Sequence, residues 1–262
     1  MQECNLVVTT SREADYRQKE IAQELARRLG LTFFPRKEVS LQEFFNYNHG
    51  LIIVQAEKLI LKTQQGELFF HPNMAKLRIN NLCQGHPDHL IQALNLQQGD
   101  SLLDCTLGLA SDAITASFWL GEKGHVVGLE VVPLIYEITS YGLANCSLPY
   151  KKSEEALRRI RVINTHHLDY LKKLPDKSFD AVYFDPMFDK SILGSCAMVN
   201  LRQIAYTGSI SEQNLQEAKR VARKRVVMKS RKGSKELERL GFINKAGGNY
   251  SNIEYGYFPL SD

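Results

Sequence analysis

Ser101-Leu102-Leu103-Asp104-Cys105-Thr106-Leu107-Gly108-Leu109-Ala110-Ser111-Asp112 is the stretch on which the fold turns. An apolar pair runs into an acid, a turn of small residues follows, and Ser111 opens a helical run to Leu120. A short strand feeding a helix in this way is the opening unit of a parallel sheet, because parallel strands need a crossover to bring the chain back. The alternation continues downstream. Residues 125–129 read as the next strand and end at Glu130, and Pro133–Asn145 reads as a helix. Ile160–Asn164, 181–184 and 225–229 are further apolar strands, with helices expected at 211–221 and 235–240. Residues 242–244 and 253–258 can pair across Gly247-Gly248, and 87–96 reads as a helix ahead of the first strand. With right-handed crossovers this predicts an α/β fold: a Rossmann-like, doubly wound, mostly parallel sheet with an antiparallel C-terminal hairpin.

The segment before it reads differently. A strand at 5–9 leads to a helix capped by Ser11 and ended by Gly30, with Ile21, Ala22, Leu25, Ala26 and Leu29 at helical spacing. Strands at 51–54 and 58–62 follow, and Gln65-Gly66 turns into 67–70. The expected division is a small α/β domain over 1–80 and the larger domain over 81–262. Of 262 residues, 44% are hydrophobic and 24% charged, an ordinary globular balance. No apolar run approaches the roughly 20 residues of a membrane helix, and the first twelve residues lack a signal-peptide pattern, so a cytoplasmic protein without membrane attachment is expected. The five cysteines are scattered without a C-x-x-C pair. His86 and His89 make an H-x-x-H with no further placed ligand, and no metal is expected.

Ligands of such sheets sit at the carboxyl ends of the strands, by the point where strand order reverses. Asp104, Glu130 and Asp185 all fall at predicted strand ends. Asp104, Thr106 and Gly108 shape the first turn, where small residues let a ligand approach the backbone. A carboxylate in Glu130's place can accept both hydroxyls of a ribose. A nicotinamide dinucleotide would use the same acid, but its G-x-G-x-x-G cradle for a pyrophosphate is missing; Gly108 is the one glycine of this turn. S-adenosylmethionine carries no phosphate and fits the pattern better.

A second segment adds chemistry: Asp180-Ala181-Val182-Tyr183-Phe184-Asp185-Pro186-Met187-Phe188. Here an apolar strand runs into an acid, a proline and an aromatic. Methyltransferases acting on exocyclic amines of bases carry a similar Asp/Asn-Pro-Pro-Phe/Tyr. An aryl amine is a weak nucleophile because its lone pair is delocalised. A carboxylate and a backbone carbonyl accepting its hydrogens localise that pair, while the aromatic stacks on the unstacked base.

With these two segments and Arg225-Val226-Val227-Met228-Lys229, the chain over roughly 102–258 resembles the bacterial small-subunit ribosomal RNA guanine-N2 methyltransferases. Met187 within the tetrapeptide is typical of them. The resemblance implies Asp185, Pro186 and Phe188 at the catalytic centre, with Asp185 between cofactor and base. It implies Ser111 and Asp112 on the cofactor, Glu130 with Val131 on its ribose end, and His166 and His167 beside its adenine. Ser111 and Val131 stand where those enzymes have arginine, and residues 78–85 replace a glycine-rich basic stretch, which bears on the choice of RNA rather than on the cofactor.

Net charge is +4, unevenly placed: eleven Lys/Arg lie between Lys219 and Lys245, against Glu236 and Glu238 alone. Such a tract suits phosphate backbones, with Arg223, Lys224, Arg231 and Lys232 as the expected contacts; a solvated helix face would look the same. Phe69, Phe70, His71 and Lys76-Leu77-Arg78 could touch RNA or pack at a domain edge. The stretch between Phe188 and Ile210 has the length of a lid. Taken together these features predict S-adenosylmethionine-dependent methylation of RNA, in small-subunit ribosomal RNA by the resemblance. Methylation of another RNA or of a small molecule, and RNA binding without catalysis, are the alternatives.

Overall fold

The structure, a computed structural model, describes residues 5–36, 39–45, 47–186, 209–248 and 251–260. It falls into two compact units. Of the described residues, the first holds those up to His71 together with Pro133–Ser147, and the second holds Pro72–Val132 with 148–186 and those from 209 on.

In the first unit, β1 (Leu6–Thr10), α1 (Tyr16–Leu29), β2 (Thr32–Phe33), α2 (Leu41–Phe45), β3 (Gly50–Val54), β4 (Leu59–Thr63) and β5 (Gly66–Phe69) follow in order. The sheet runs β2-β1-β3-β4-β5, parallel from β2 to β3 and antiparallel beyond. α1 starts later than expected because Asp15, not Ser11, caps it. Asp15 accepts the Gln18 N–H while the Gln18 side chain accepts the Asp15 N–H, a reciprocal box that fixes the helix start. The helix α6 (Pro133–Asn145) also belongs to this unit. Its Tyr141 hydroxyl donates to the Gln55 carbonyl at 2.8 Å, and its Glu137 pairs with Arg28. At Gly142 the helix meets the Phe70 ring, where an added Cβ would stand 2.1 Å from Cγ. Phe70 is therefore core, 3% exposed, and has no face to offer a base.

The second unit opens with α3 (Asn73–Cys83) and α4 (His89–Leu94), then β6 (Ser101–Asp104), α5 (Ser111–Leu120) and β7 (His125–Glu130). It resumes with α7 (Lys151–Arg158), β8 (Ile160–Asn164), α8 (His167–Leu171) and β9 (Phe179–Phe184). The helix Glu212–Val221, β10 (Ala222–Arg231), the short helix Glu236–Arg239, β11 (Asn244–Ala246) and β12 (Ile253–Pro259) complete it. Strand order is β11-β12-β10-β9-β6-β7-β8, parallel from β10 to β8. β12 is antiparallel to both β10 and β11, so it lies inside the sheet and β11 forms the edge. Phe242, expected in the hairpin, is instead buried and packs its ring 4.3 Å from Phe258. β6 and β9 are neighbours although their sequence order is not consecutive, which places the reversal of strand order between their carboxyl ends. Among the described residues no helix is long and apolar enough to cross a membrane.

Four residues of the basic tract are paired within the fold. Arg223 pairs with Asp180 and Lys224 with Asp100, both at the amino ends of the parallel strands. Arg220 holds Asp176 and Glu217, and Arg225 lies over the Tyr257 ring and donates to the Ala93 carbonyl. Arg223 and Lys224 thus sit at the sheet end opposite Asp104, Glu130 and Asp185. Reversing both (Arg223→Glu, Lys224→Glu) sets acid against acid at pairs that are still partly solvated. A lowering of Tm by roughly 2–6 °C is expected at this chain length, read by calorimetry, with RNA affinity unchanged.

Candidate functional site

Backbone bonds lace the carboxyl ends of β6, β7 and β9 together. Cys105 N–H donates to the Tyr183 carbonyl at 2.9 Å, and Leu107 N–H to the Leu129 carbonyl at 2.9 Å. Asp104 ends β6 at 2% exposure, its Oδ1 accepting the Thr106 N–H at 3.0 Å. The Thr106 Oγ1 accepts the Asp185 N–H at 2.5 Å, so the first turn fixes the backbone of the residue that follows β9. Gly108 and Ala110 both take left-handed backbone, at φ +53° and +63°. For alanine this conformation costs roughly 1–2 kcal/mol, and strain of that kind collects where backbone is shaped for a ligand.

Glu130 ends β7 with 8% exposure. Its Oε2 accepts the Gly108 N–H at 3.1 Å and its Oε1 the Val132 N–H at 2.8 Å. Burial raises its pKa against the pull of these N–H groups. Val131 N–H also bears on the carboxylate, whose two oxygens have about four lone-pair sites between them. A Cβ added at Gly108 would meet nothing within 4 Å, so the turn opens onto free space beside Glu130. The Val131 carbonyl accepts from the Asn164 side chain at 3.3 Å. This donor and acceptor set fits a nucleoside cofactor without a pyrophosphate.

The other expected residues divide. Ser111 stands at the start of α5, and its carbonyl accepts the Thr115 hydroxyl. Asp112 is occupied: Arg78 and Lys229 pair with it, and the Tyr183 hydroxyl donates to it at 2.8 Å. Burial pushes the Asp112 carboxyl up, but the Lys229 and Arg78 charges outweigh that and hold it well below the usual carboxylate range. His166 caps α8, its Nδ1 accepting the Leu168 N–H. His167 is buried edge-on to Phe184, and burial pushes its imidazole down to about 4, so it is neutral at physiological pH. Asp185 follows β9 and Pro186 is half-buried after it. Phe188 lies outside the described residues, as does most of the stretch expected to form a lid.

Two residues take a role at the site that the sequence reading did not give them. Arg78, read as either an RNA contact or a residue of a domain edge, pairs with Asp88 and Asp112. Lys229 lies between Asp112 and Asp185. A lysine directly after Val226-Val227-Met228 on a buried strand is itself a signal, since a charge there needs partners.

Burial pushes the Asp104 carboxyl up to about 8, the Thr106 N–H opposing and the neighbouring Asp112 and Asp185 charges adding. The folded protein therefore holds a proton that the unfolded chain releases near pH 3.8. Stability from this group is present at low pH and falls as pH rises through the window from about 4 to 8. Asp104→Asn is expected to flatten that slope, visible as a smaller loss of Tm between pH 5 and 8 in thermal melts.

Residues 24–242 match the SAM_MT family, described as "Putative SAM-dependent methyltransferase", and the chain belongs to it. It is thus a class I methyltransferase with S-adenosylmethionine as cofactor. It is 37% identical over 238 residues to the uncharacterized protein YpiP of Bacillus subtilis (strain 168), covering 90% of this chain and 93% of that one. Ribosomal RNA small subunit methyltransferase J of Francisella tularensis subsp. novicida (strain U112) is 35% identical over 120 residues, 44% of this chain and 47% of the relative. The chain therefore matches about half the length of that enzyme. Among solved structures, the SAM-dependent methyltransferase NGO1261 from Neisseria gonorrhoeae shares the fold, with a TM-score of 0.65 at 14% identity over 97% of this chain and 95% of that one.

Proposed function

We propose that this methyltransferase acts on RNA, at an exocyclic amine, and specifically at the N2 amine of a guanine in small-subunit ribosomal RNA. The observation that carries the amine is Asp185. Its carboxyl stands beyond β9 at the reversal of strand order, its N–H is fixed by Thr106, and Pro186 follows. Guanine and the small subunit rest on the partial likeness to ribosomal RNA small subunit methyltransferase J. Arg231 and Lys232 support an RNA substrate, because β10 delivers them just beyond Lys229, at the carboxyl side of the sheet.

When bound, S-adenosylmethionine supplies a methyl group on a cationic sulfur that an amine lone pair can displace. Asp104, Thr106, Gly108, Ser111 and Asp112 would form its floor, Glu130 and Val131 its ribose contacts, and His166 with His167 the flank of its adenine. Asp185 accepts an N–H of the target amine and thereby localises the nitrogen lone pair. Positioning contributes the rest, by holding the amine in line. The amine sheds its proton after transfer, so no strong base is required of the chain.

The test is nucleoside mass spectrometry of small-subunit RNA from cells with and without the protein, together with methyl transfer to isolated small subunits in vitro. N2-methylguanosine that appears only with the protein is the expected product. A methyl group on a base carbon, a ribose hydroxyl or a protein overturns the amine assignment.

A further inference from the structure

Asp185 is the end of a row of alternating charges. Asp88 caps α4, its Oδ1 accepting the N–H groups of Leu90 and Ile91. Arg78 of α3 grips that carboxylate with two bonds, of 2.7 and 2.8 Å, and reaches Asp112 in the first turn of α5. From β10, Lys229 Nζ donates to Asp112 Oδ2 at 3.0 Å and to Asp185 Oδ2 at 2.8 Å. The side chains in the row are 10–29% exposed, so solvent screens these pairs far less than surface ones. Among the described residues no hydrogen bond engages Asp185 Oδ1. Among the described residues, one carboxylate oxygen is thus pinned and the other carries no hydrogen bond.

We infer that Lys229 is a positioning residue for methyl transfer. Anchored through Asp112 and Arg78 to the capped start of α4, it holds Asp185 ionised and oriented with Oδ1 presented to the amine. This rests on the reading of Asp185 given above. The groups facing Asp185 are Asp104 and Asp112, the Tyr183 hydroxyl, Lys229 and Arg78, with Tyr255 facing Lys229. Burial raises the Asp185 carboxyl, and Lys229 is the main influence lowering it. Without Lys229, three carboxylates would share Arg78 alone.

The experiment is a pH titration of the aspartate carboxyls by carbon-13 NMR in the full chain without cofactor, with the Asp185 signal assigned through Asp185→Asn. Lys229→Met is expected to raise the Asp185 midpoint by about one pH unit or more. Asp112→Asn, which frees Lys229 for Asp185 alone, is expected to lower it, and it serves if Lys229→Met fails to fold. In methyl transfer to small subunits, Lys229→Met should lower kcat at pH 7 by about tenfold or more. The acidic limb of its pH profile should move upward with the midpoint, because the ionised carboxylate is the active form. KM for S-adenosylmethionine should change little, and Lys229→Arg should restore much of both readouts. An Asp185 midpoint in Lys229→Met that matches the parent protein overturns the inference, as does an unchanged kcat. Full activity in Asp185→Asn would instead remove the reading of Asp185 beneath it, while the shifted midpoint would still show the charge row.

Discussion

Asp185→Asn is expected to lower turnover by about 10²–10⁴-fold, the range over which removal of one oriented acid–base or electrostatic group acts. The substitution keeps the shape of the side chain and the backbone bond from the Asp185 N–H to Thr106. It removes the charge that balances Lys229 and that, on the proposed reading, polarises an amine N–H. Cofactor affinity should stay within a few-fold of the parent, because the proposed ribose contact is Glu130 at the end of β7. Single-turnover transfer of labelled methyl groups to small subunits, beside calorimetry with S-adenosylmethionine, separates these two quantities. Parent-level turnover in the folded variant would take Asp185 out of the chemistry.

Glu130→Ala is expected to act on the other quantity. The buried carboxylate can accept two ribose hydroxyls, and losing both bonds costs roughly 2–4 kcal/mol, some tens- to several-hundredfold in Kd. The structure adds a second contribution, since Glu130 also ties down the N–H groups of Gly108 and Val132. Its removal loosens the turn that shapes the site. Calorimetric titration with S-adenosylmethionine, after a melting curve has shown the variant folded, reads the loss. An unchanged Kd would mean that Glu130 serves only to brace the turn.

The two variants are expected to separate because the residues stand at the ends of different strands, Glu130 on β7 and Asp185 beyond β9. A variant of the basic tract tests a third property. Arg223 and Lys224 pair with Asp180 and Asp100 at the far end of the sheet, whereas Arg231 and Lys232 leave β10 on the side of Asp185.

The strand ends that carry the candidate site could be read without a structure. Leu102-Leu103 into Asp104, Val126-Val127 into Glu130 and Val182-Tyr183-Phe184 into Asp185 are local patterns: an apolar run buries itself and its polar terminus stops at the sheet edge. The parallel order follows from their alternation with helices, and the start of α1 was encoded too, in Asp15 and Gln18 three residues on. Only the tertiary structure decided what depends on distant partners. α6 follows β7 in the chain but belongs to the N-terminal unit, because Gly142 leaves room for the distant Phe70. β12 enters the sheet between β10 and β11. Lys229 meets Asp112 across 117 positions and Asp185 across 44, and Arg78 meets Asp112 across 34. A charge reads from sequence as solvated or ligand-bound; which carboxylate neutralises it is set by the folding of separate strands and helices onto one edge, and no local pattern records that.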